Sequence, residues 1–449
     1  MFNAGGATEE NVSRMKSDMI DLVKDEKERA IVVGLVTRNL HKRQAEEYLD
    51  ELALLADTAG AVVVHRILQE RGRIDPAFYI GKGKVEQIAQ CVEDDNIASV
   101  IFDDDLSPAQ VRNLETVVKR KILDRSGLIL DIFASRARSN EARTQVELAQ
   151  LQYLLPRLTG AWTHLSKQFG GIGTKGPGET QIETDRRMIR ERISHLEKKL
   201  EKIGRQRETR RSGRKNFVTV SLVGYTNAGK STLLNALTDS SVFVESRLFA
   251  TLDTTTRAAV LSPSTTILLS DTVGFIRKLP HHLIASFKGT LEEVLEADIL
   301  LHVIDVCHPR FEEQIRVVNA TLEELGVVGK PILFVFNKID ALKDREHLQD
   351  LQTQFSPSVC ISAERGINLL GLKEMILKTI HHSRVTLTFS FAQTEHKALS
   401  ALHDLADVEQ RIYEDGKVTV TATVSSRNSD RVHEILKRAN ATVLEEKKE

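Results

Sequence analysis

Residues Gly224, Tyr225, Thr226, Asn227, Ala228, Gly229, Lys230 and Ser231 form the pattern G-x-x-x-x-G-K-[ST], with Thr232 after it. This pattern binds phosphate. Its glycines let the backbone curl so that several N–H groups point at one anion. Lys230 supplies a point charge to the outer phosphates, and the Ser231 hydroxyl can hold Mg²⁺. The run Phe217 to Val223 before it reads as a strand, and Thr232 to Leu237 reads as the start of a helix whose positive end faces the anion. Strand, glycine loop and helix in this order predict a nucleoside triphosphate site.

Two further segments narrow the ligand. Residues 267–274 are an apolar run ending in Asp271-Thr272-Val273-Gly274. A carboxylate at that strand end can hold Mg²⁺ through water, and the Gly274 N–H can meet the terminal phosphate. Residues 331–340 are a second apolar run ending in Asn337-Lys338-Ile339-Asp340. The Asp340 carboxylate can accept from both N1–H and the 2-amino group of guanine. Adenine offers neither donor and would leave a polar group unpaired, so the pair of motifs predicts guanine selectivity. Singly, Asp271 could cap a turn and residues 337–340 could be an ordinary loop. Together and in this order they mark a Ras-like GTPase, with GTP as substrate, GDP as product and Mg²⁺ as cofactor. Ile361-Ser362-Ala363 resembles the last base-contacting loop of that class.

The catalytic residues are Lys230 and Gly274, because this chemistry is positioning and charge neutralisation. Many GTPases carry a Gln after that glycine to orient the attacking water; here the position is Phe275, which cannot. A metal-sensing threonine is expected in the first switch, around Phe249-Ala250-Thr251-Leu252-Asp253. On chemistry alone Thr251, Thr254, Thr255 and Thr256 are equivalent candidates.

The elements that position these residues span a chain of 449 residues, long enough for several domains. It is 41% apolar with a net charge of −1. Cys91, Cys307 and Cys360 lie far apart in or beside apolar runs, as expected of reduced thiols in a cytoplasmic protein. No basic-then-apolar leader and no membrane-length apolar run is expected. Residues 1–28 are polar and predicted to be disordered. Residues 29–135 alternate strands (Ile31–Val36, Val62–Ile67, Ser99–Phe102) with helices (Ala45–Thr58, Val85–Glu93), as in a small α/β domain with a parallel sheet. Ser107 and Pro108 read as an N-cap and first helical position. Asp103, Asp104 and Asp105 read as a solvated turn, and Tyr79 to Lys84 as a helix-entry turn.

Residues 136–215 predict an antiparallel helical hairpin. Leu148, Leu151, Leu155 and Leu158 form one narrow apolar seam, and Ile189, Ile193, Leu196, Leu200 and Ile203 another. Between them Gly160 to Thr180 is a glycine-rich tip, where Trp162 and Phe169 could stack on bases or anchor the loop. From Arg186 to Lys215 thirteen basic residues face four acidic ones, leaving +9. That bias predicts phosphate backbones as the partner. Residues 216–383 are the GTPase domain, with a mixed, mostly parallel sheet. Residues 384–449 read as a small βαβα module: strand Val385–Phe391, helix Lys397–Tyr413, strand Lys417–Val424, helix Ser429–Ala439.

From residue 29 onward the chain resembles the HflX family of ribosome-associated GTPases, within the Obg-HflX group. The stretches that carry the resemblance are Gly171-Ile172-Gly173-Thr174-Lys175-Gly176-Pro177-Gly178-Glu179-Thr180-Gln181, then Gly224 to Thr232, Phe249 to Asp253, and Asp271 to Phe275. The resemblance selects Thr251 as the metal-sensing threonine beside Ser231. It implies a protein that binds the large ribosomal subunit and its rRNA and splits stalled ribosomes under stress. The chain is expected to be monomeric and, with no glutamine to orient water at Phe275, to hydrolyse GTP slowly until the ribosome stimulates it. The resemblance also fits an apolar residue at Phe275. Thr254 departs from the proline of many relatives.

Overall fold

The computed structural model describes residues 28–38, 40–158, 177–211, 217–238, 248–263, 265–278, 288–342, 348–382, 384–392, 402, 405–414, 416–439 and 441–448. The predicted N-terminal extension, most of the glycine-rich tip, Trp162 and Phe169 lie outside these residues. The chain divides into two compact units, residues 1–135 with 146–197 and residues 136–145 with 198–449.

The first unit is built on four parallel strands. They are β1 (Arg29–Val36), β2 (Val62–Glu70), β3 (Ser99–Phe102) and β4 (Lys121–Asp124), ordered β2-β1-β3-β4. Helices α1 (Lys42–Thr58), α2 (Lys82–Asp94) and α3 (Pro108–Val118) connect them, and α4 (Arg125–Arg136) follows β4. The apolar residues of β1 and β3 meet Val85, Ile88 and Val92 of α2 in a closed core. Ser107 caps α3 in a reciprocal box with Gln110, with Pro108 next, as the sequence predicts. Gly81 is the residue that enters α2.

The aspartates after β3 are only partly a solvated turn, with Asp105 exposed and Asp104 half-buried. Asp103 is buried and ion-paired to Arg125, itself 1% exposed; Asp104 accepts from the Tyr79 hydroxyl and Asp105 from Ser126. Burying a guanidinium requires paired carboxylates, and Glu51 supplies a second. Asp124, fully buried, accepts from the N–H groups of Leu106 and Gly127, from the Tyr153 hydroxyl and from Arg157.

Helix α6 (Pro177–Arg211) carries its predicted seam, whereas α5 (Asn140–Leu154) carries only Leu148 and Leu151 of the other, because the chain turns at residues 155–157 and leaves Leu155 and Leu158 beyond the helix. Glu147 pairs with Arg192 and Asn140 with Lys199, so the helices run antiparallel. Leu196 is buried in the seam of α6, while Ile189, Ile193, Leu200 and Ile203 are half-buried.

The second unit holds a six-stranded sheet made of β5 (Val218–Val223), β6 (Thr255–Ser262), β7 (Thr265–Asp271), β8 (Ile299–Asp305), β9 (Ile332–Asn337) and β10 (Ser358–Cys360). Its order is β10-β9-β8-β5-β7-β6. Only β6 is antiparallel, joined to β7 as a hairpin. The central strands β8 and β9 read as mostly apolar runs because helices cover both faces, whereas the edge strand β6 has exposed residues. These are α7 (Lys230–Thr238), α8 (Lys288–Glu296), α9 (Phe311–Glu324), α10 (Leu348–Gln354) and α11 (Leu369–His382). Leu222, Leu234, Leu301, Val303, Leu333, Val335 and Leu372 form the centre of the core.

The C-terminal module departs from the βαβα expectation. Strands β11 (Arg384–Ala392), β12 (Ala406–Glu414), β13 (Lys417–Ser425) and β14 (Thr442–Lys448) form an antiparallel sheet ordered β12-β13-β11-β14, with α12 (Ser426–Arg438) packed on it. Residues 406–413 are strand, not helix. Glu414 pairs with Lys417 across an Asp-Gly step, with Gly416 at φ 74°, so a two-residue hairpin fixes β12 against β13. On the face away from the core, Thr386 meets Thr423 and Thr388 meets Thr421.

Candidate nucleotide and metal site

The carboxyl ends of β5, β7, β8 and β9 lie side by side, and each delivers a loop to one edge of the sheet, where open α/β folds bind ligands. After β5 the chain enters the phosphate loop. Gly224 and Gly229 have φ of 151° and 94°, and Asn227 adopts the left-handed region at 62°. A Cβ on Gly224 would run into the Val303 carbonyl, and one on Gly229 into the Asn337 amide, so both positions require glycine. Lys230 is 6% exposed; its Nζ donates to the carbonyls of Gly224 (3.1 Å) and Tyr225 (2.9 Å). Burial pushes its pKa down to about 8, while the nearby Asp271 charge works the other way.

Thr226, Asn227, Gly229, Lys230, Ser231 and Thr232 line a cleft with Phe249, Ala250, Thr251, Thr272 and Gly274. The sequence-predicted phosphate loop, first switch and Asp-x-x-Gly turn therefore meet in space. Both switches are also pinned to the loop. Phe249 N–H donates to Thr226 Oγ1 (3.0 Å), Thr226 N–H to the Phe275 carbonyl (2.8 Å), and Phe275 N–H to the Gly224 carbonyl (3.1 Å). Thr272 Oγ1 donates back to the Leu222 carbonyl (2.6 Å). A Cβ on Gly274 would stand 2.7 Å from Thr226 Cα and 3.1 Å from Lys230 Nζ, so the close approach of the second switch depends on this glycine. The Phe275 ring is 2% exposed and directed into the core, where a water-orienting glutamine would be out of place.

Among the four threonines, geometry separates Thr251. Ser231 Oγ lies 2.7 Å from Thr251 Oγ1 and 2.6 Å from Asp271 Oδ2. Asp271 is fully buried, and its Oδ1 has no hydrogen-bond partner. Burial raises its pKa, against the pull of Lys230 and of the Ser231 and Thr251 hydroxyls. Two hydroxyls and an incompletely satisfied carboxylate form a hard-oxygen donor set that fits a small divalent cation. Thr256 instead shares a hydrogen bond with Ser270.

The base side is organised by Asn337, 2% exposed. Its Nδ2 donates to the Ala228 carbonyl and its Oδ1 accepts from Ala363 N–H, each at 2.9 Å. Asn337 thus ties the phosphate loop to the Ser362-Ala363 loop. Lys338 donates to the Asn227 carbonyl (2.9 Å) and to Asp305 (2.6 Å). Ile339 is buried and Asp340 is half-exposed. Ser362 Oγ accepts from Arg365 N–H. Sequence reasoning missed Asp305, which neutralises and orients Lys338; its signal was a carboxylate at the end of the run Ile299 to Asp305. Two expected site residues point elsewhere: Leu252 is buried, and Asp253 accepts from residues just ahead of α5.

A phosphate loop, a buried lysine, an Asp-x-x-Gly turn and an Asn-Lys-x-Asp loop at one sheet edge define a P-loop GTPase. Residues 219–338 match a family model described as 50S ribosome-binding GTPase. Residues 46–134 and 136–214 match the GTP-binding GTPase N-terminal and Middle Region models. GTPase HflX of Flavobacterium psychrophilum is 55% identical over 316 residues, 70% of this chain and 76% of its own length. GTPase HflX of Escherichia coli K12 is 44% identical over 378 residues, 83% of this chain and 89% of its own. Among solved structures, a GTP-binding protein from Sulfolobus solfataricus in complex with GDP is 28% identical with a TM-score of 0.42, covering 78% of this chain and 98% of that one. The chain belongs to the HflX family of GTPases and is a GTP hydrolase. Among the described residues, no helix is long and apolar enough to cross a membrane.

Proposed function

We propose that this GTPase docks its basic helix on ribosomal RNA of the large subunit and uses its nucleotide state to split stalled ribosomes under stress. The observation that carries the reading is α6. From Arg186 to Lys215 it and the residues after it hold a net +9, and Arg187, Arg190, Lys198 and Lys202 are exposed. The match of residues 219–338 to a 50S ribosome-binding model supports it further.

In the site, Lys230 and the loop N–H groups neutralise and orient the phosphates, Gly274 N–H meets the terminal phosphate, and Asp340 reads the guanine edge. Ser231 and Thr251 would hold Mg²⁺, with Asp271 behind them, and the ion would supply positive charge against that of the phosphates. Because Phe275 cannot orient water, that group comes from the docked particle, and the free protein is slow.

The test is sedimentation with mature and immature large subunits, in the GTP-analogue and GDP states. Co-sedimentation with mature subunits, lost on replacing Arg187, Arg190, Lys198 and Lys202 with Ala and increasingly so at higher salt, supports the proposal. Preference for immature particles would identify an assembly GTPase, and no particle-stimulated turnover a nucleotide-stabilised adaptor.

A further inference from the structure

Asp253 stands two residues after Thr251 in the first switch, and its carboxylate is spent outside the cleft. Oδ2 accepts from the backbone N–H groups of Arg138 (3.0 Å) and Ser139 (3.1 Å), and Oδ1 from Ser139 Oγ (2.5 Å). Ser139 is in turn the cap of α5: its Oγ accepts from Ala142 N–H (3.0 Å) and its carbonyl from Arg143 N–H (3.0 Å). The next residue, Asn140, accepts from Lys199 of the long basic helix α6 (3.0 Å). Residues 136–145 and 198–449 belong to one compact unit, so these links lie within a single body.

We propose that Asp253 is a positioning residue that transmits the state of the metal and terminal phosphate to the base of the basic hairpin. At one end of the segment, Thr251 Oγ1 sits on Ser231, beside Asp271. Leu252, 2% exposed, anchors the middle. At the other end Asp253 closes the N-terminus of α5, where an anion stabilises both the free N–H groups and the helix dipole. First switches are ordered by the terminal phosphate and its metal and released on hydrolysis. A shift of Thr251 must then move Asp253 or strain a three-residue span pinned at its centre. Loss of this cap loosens Ser139 and the first turn of α5, and with it the Asn140–Lys199 link. Coupling of this kind is reciprocal, so a ligand that immobilises the hairpin raises affinity for the nucleotide state that keeps Asp253 in place.

The proposal concerns the free protein and stands apart from the ribosome reading. The experiment is amide hydrogen exchange on the full-length protein with Mg²⁺ and either a non-hydrolysable GTP analogue or GDP. Amides of Arg138, Ser139, Ala142 and Arg143 are expected to exchange about fivefold more slowly with the analogue, the equilibrium worth of a typical N-cap. Asp253→Ala abolishes the difference. Ser139→Ala shrinks it and leaves GDP affinity unchanged, and Ser139→Thr, which keeps the hydroxyl, retains it. A purely structural cap would raise exchange equally in both nucleotide states. The proposal is overturned if phosphate-loop amides respond to nucleotide while those four do not. It is also overturned if the full difference survives in the Asp253→Ala variant.

Discussion

Asn337 is the residue whose loss separates a preformed site from one assembled by its ligand. Asn337→Ala removes the donor to the Ala228 carbonyl and the acceptor of Ala363 N–H, both 2.9 Å bonds in a buried setting. Each orphaned buried group costs about 1–3 kcal/mol, and two give about 2–6 kcal/mol. The loops can recover that energy only by opening to water, which separates the phosphate loop from the base loop before nucleotide arrives. The cost then falls on affinity: at roughly 1.4 kcal/mol per tenfold, the GDP dissociation constant rises about 30-fold or more. Asn337→Asp should do no better. Its Oδ1 still accepts from Ala363, but the second oxygen faces the Ala228 carbonyl with no proton between them. Titration with a fluorescent GDP analogue measures both variants, with circular dichroism as the check on folding. A folded Asn337→Ala protein that binds within threefold of the parent would refute the idea that this side chain holds the site together.

Asp340→Asn is expected to weaken GTP and favour xanthosine triphosphate, whose 2-oxo group accepts from the new amide; equal GTP affinity in mutant and parent would remove the guanine assignment. Lys230 has a free-state pKa of about 8, and bound phosphates must raise it. Binding therefore takes up a proton above pH 8, so GDP affinity should be flat below about pH 7.5 and fall by up to tenfold per unit above 8. A pH-independent dissociation constant between 7 and 9.5 would contradict this. Phe275→Ala removes a buried ring beside the Gly224 pairing and should reduce particle-stimulated phosphate release more than GTP affinity. Completing a GTPase site from outside can be worth about three to five orders of magnitude. Rapid hydrolysis by the isolated parent, unaltered by large subunits, would show a complete site already present.

The phosphate loop and the Asn-Lys-x-Asp loop were legible because each depends on residues adjacent in sequence and follows a largely apolar strand, β5 or β9. Thr251 was not legible from chemistry, since Thr254, Thr255 and Thr256 offer the same hydroxyl; only the approach of Ser231 and Asp271 distinguishes it. Asp305 escaped notice because its partner, Lys338, lies 33 residues on, in the loop after the neighbouring strand β9. Asp103 and Asp104 look like part of a solvated turn until Arg125 and Tyr79, each more than twenty residues away, fold over them, while Asp105 stays exposed. Residues 406–413 carry mixed polar and apolar side chains that suit a helix. The Asp-Gly step after them, and the pairing of β12 with β13, decide for strand.

The last strand, β14, has a consequence for handling the protein. It forms one margin of the C-terminal sheet and covers β11, which supplies Leu387, Phe389 and Phe391 to the core. A chain cut before Thr442 would turn β11 into an open margin with a row of unpaired backbone N–H and C=O groups. Such a margin recruits strands from other molecules, so the truncated protein should precipitate or form sheet-linked dimers. In the intact chain, the exposed Glu445 and Glu446 of β14 place like charges where a second copy would have to add its strand.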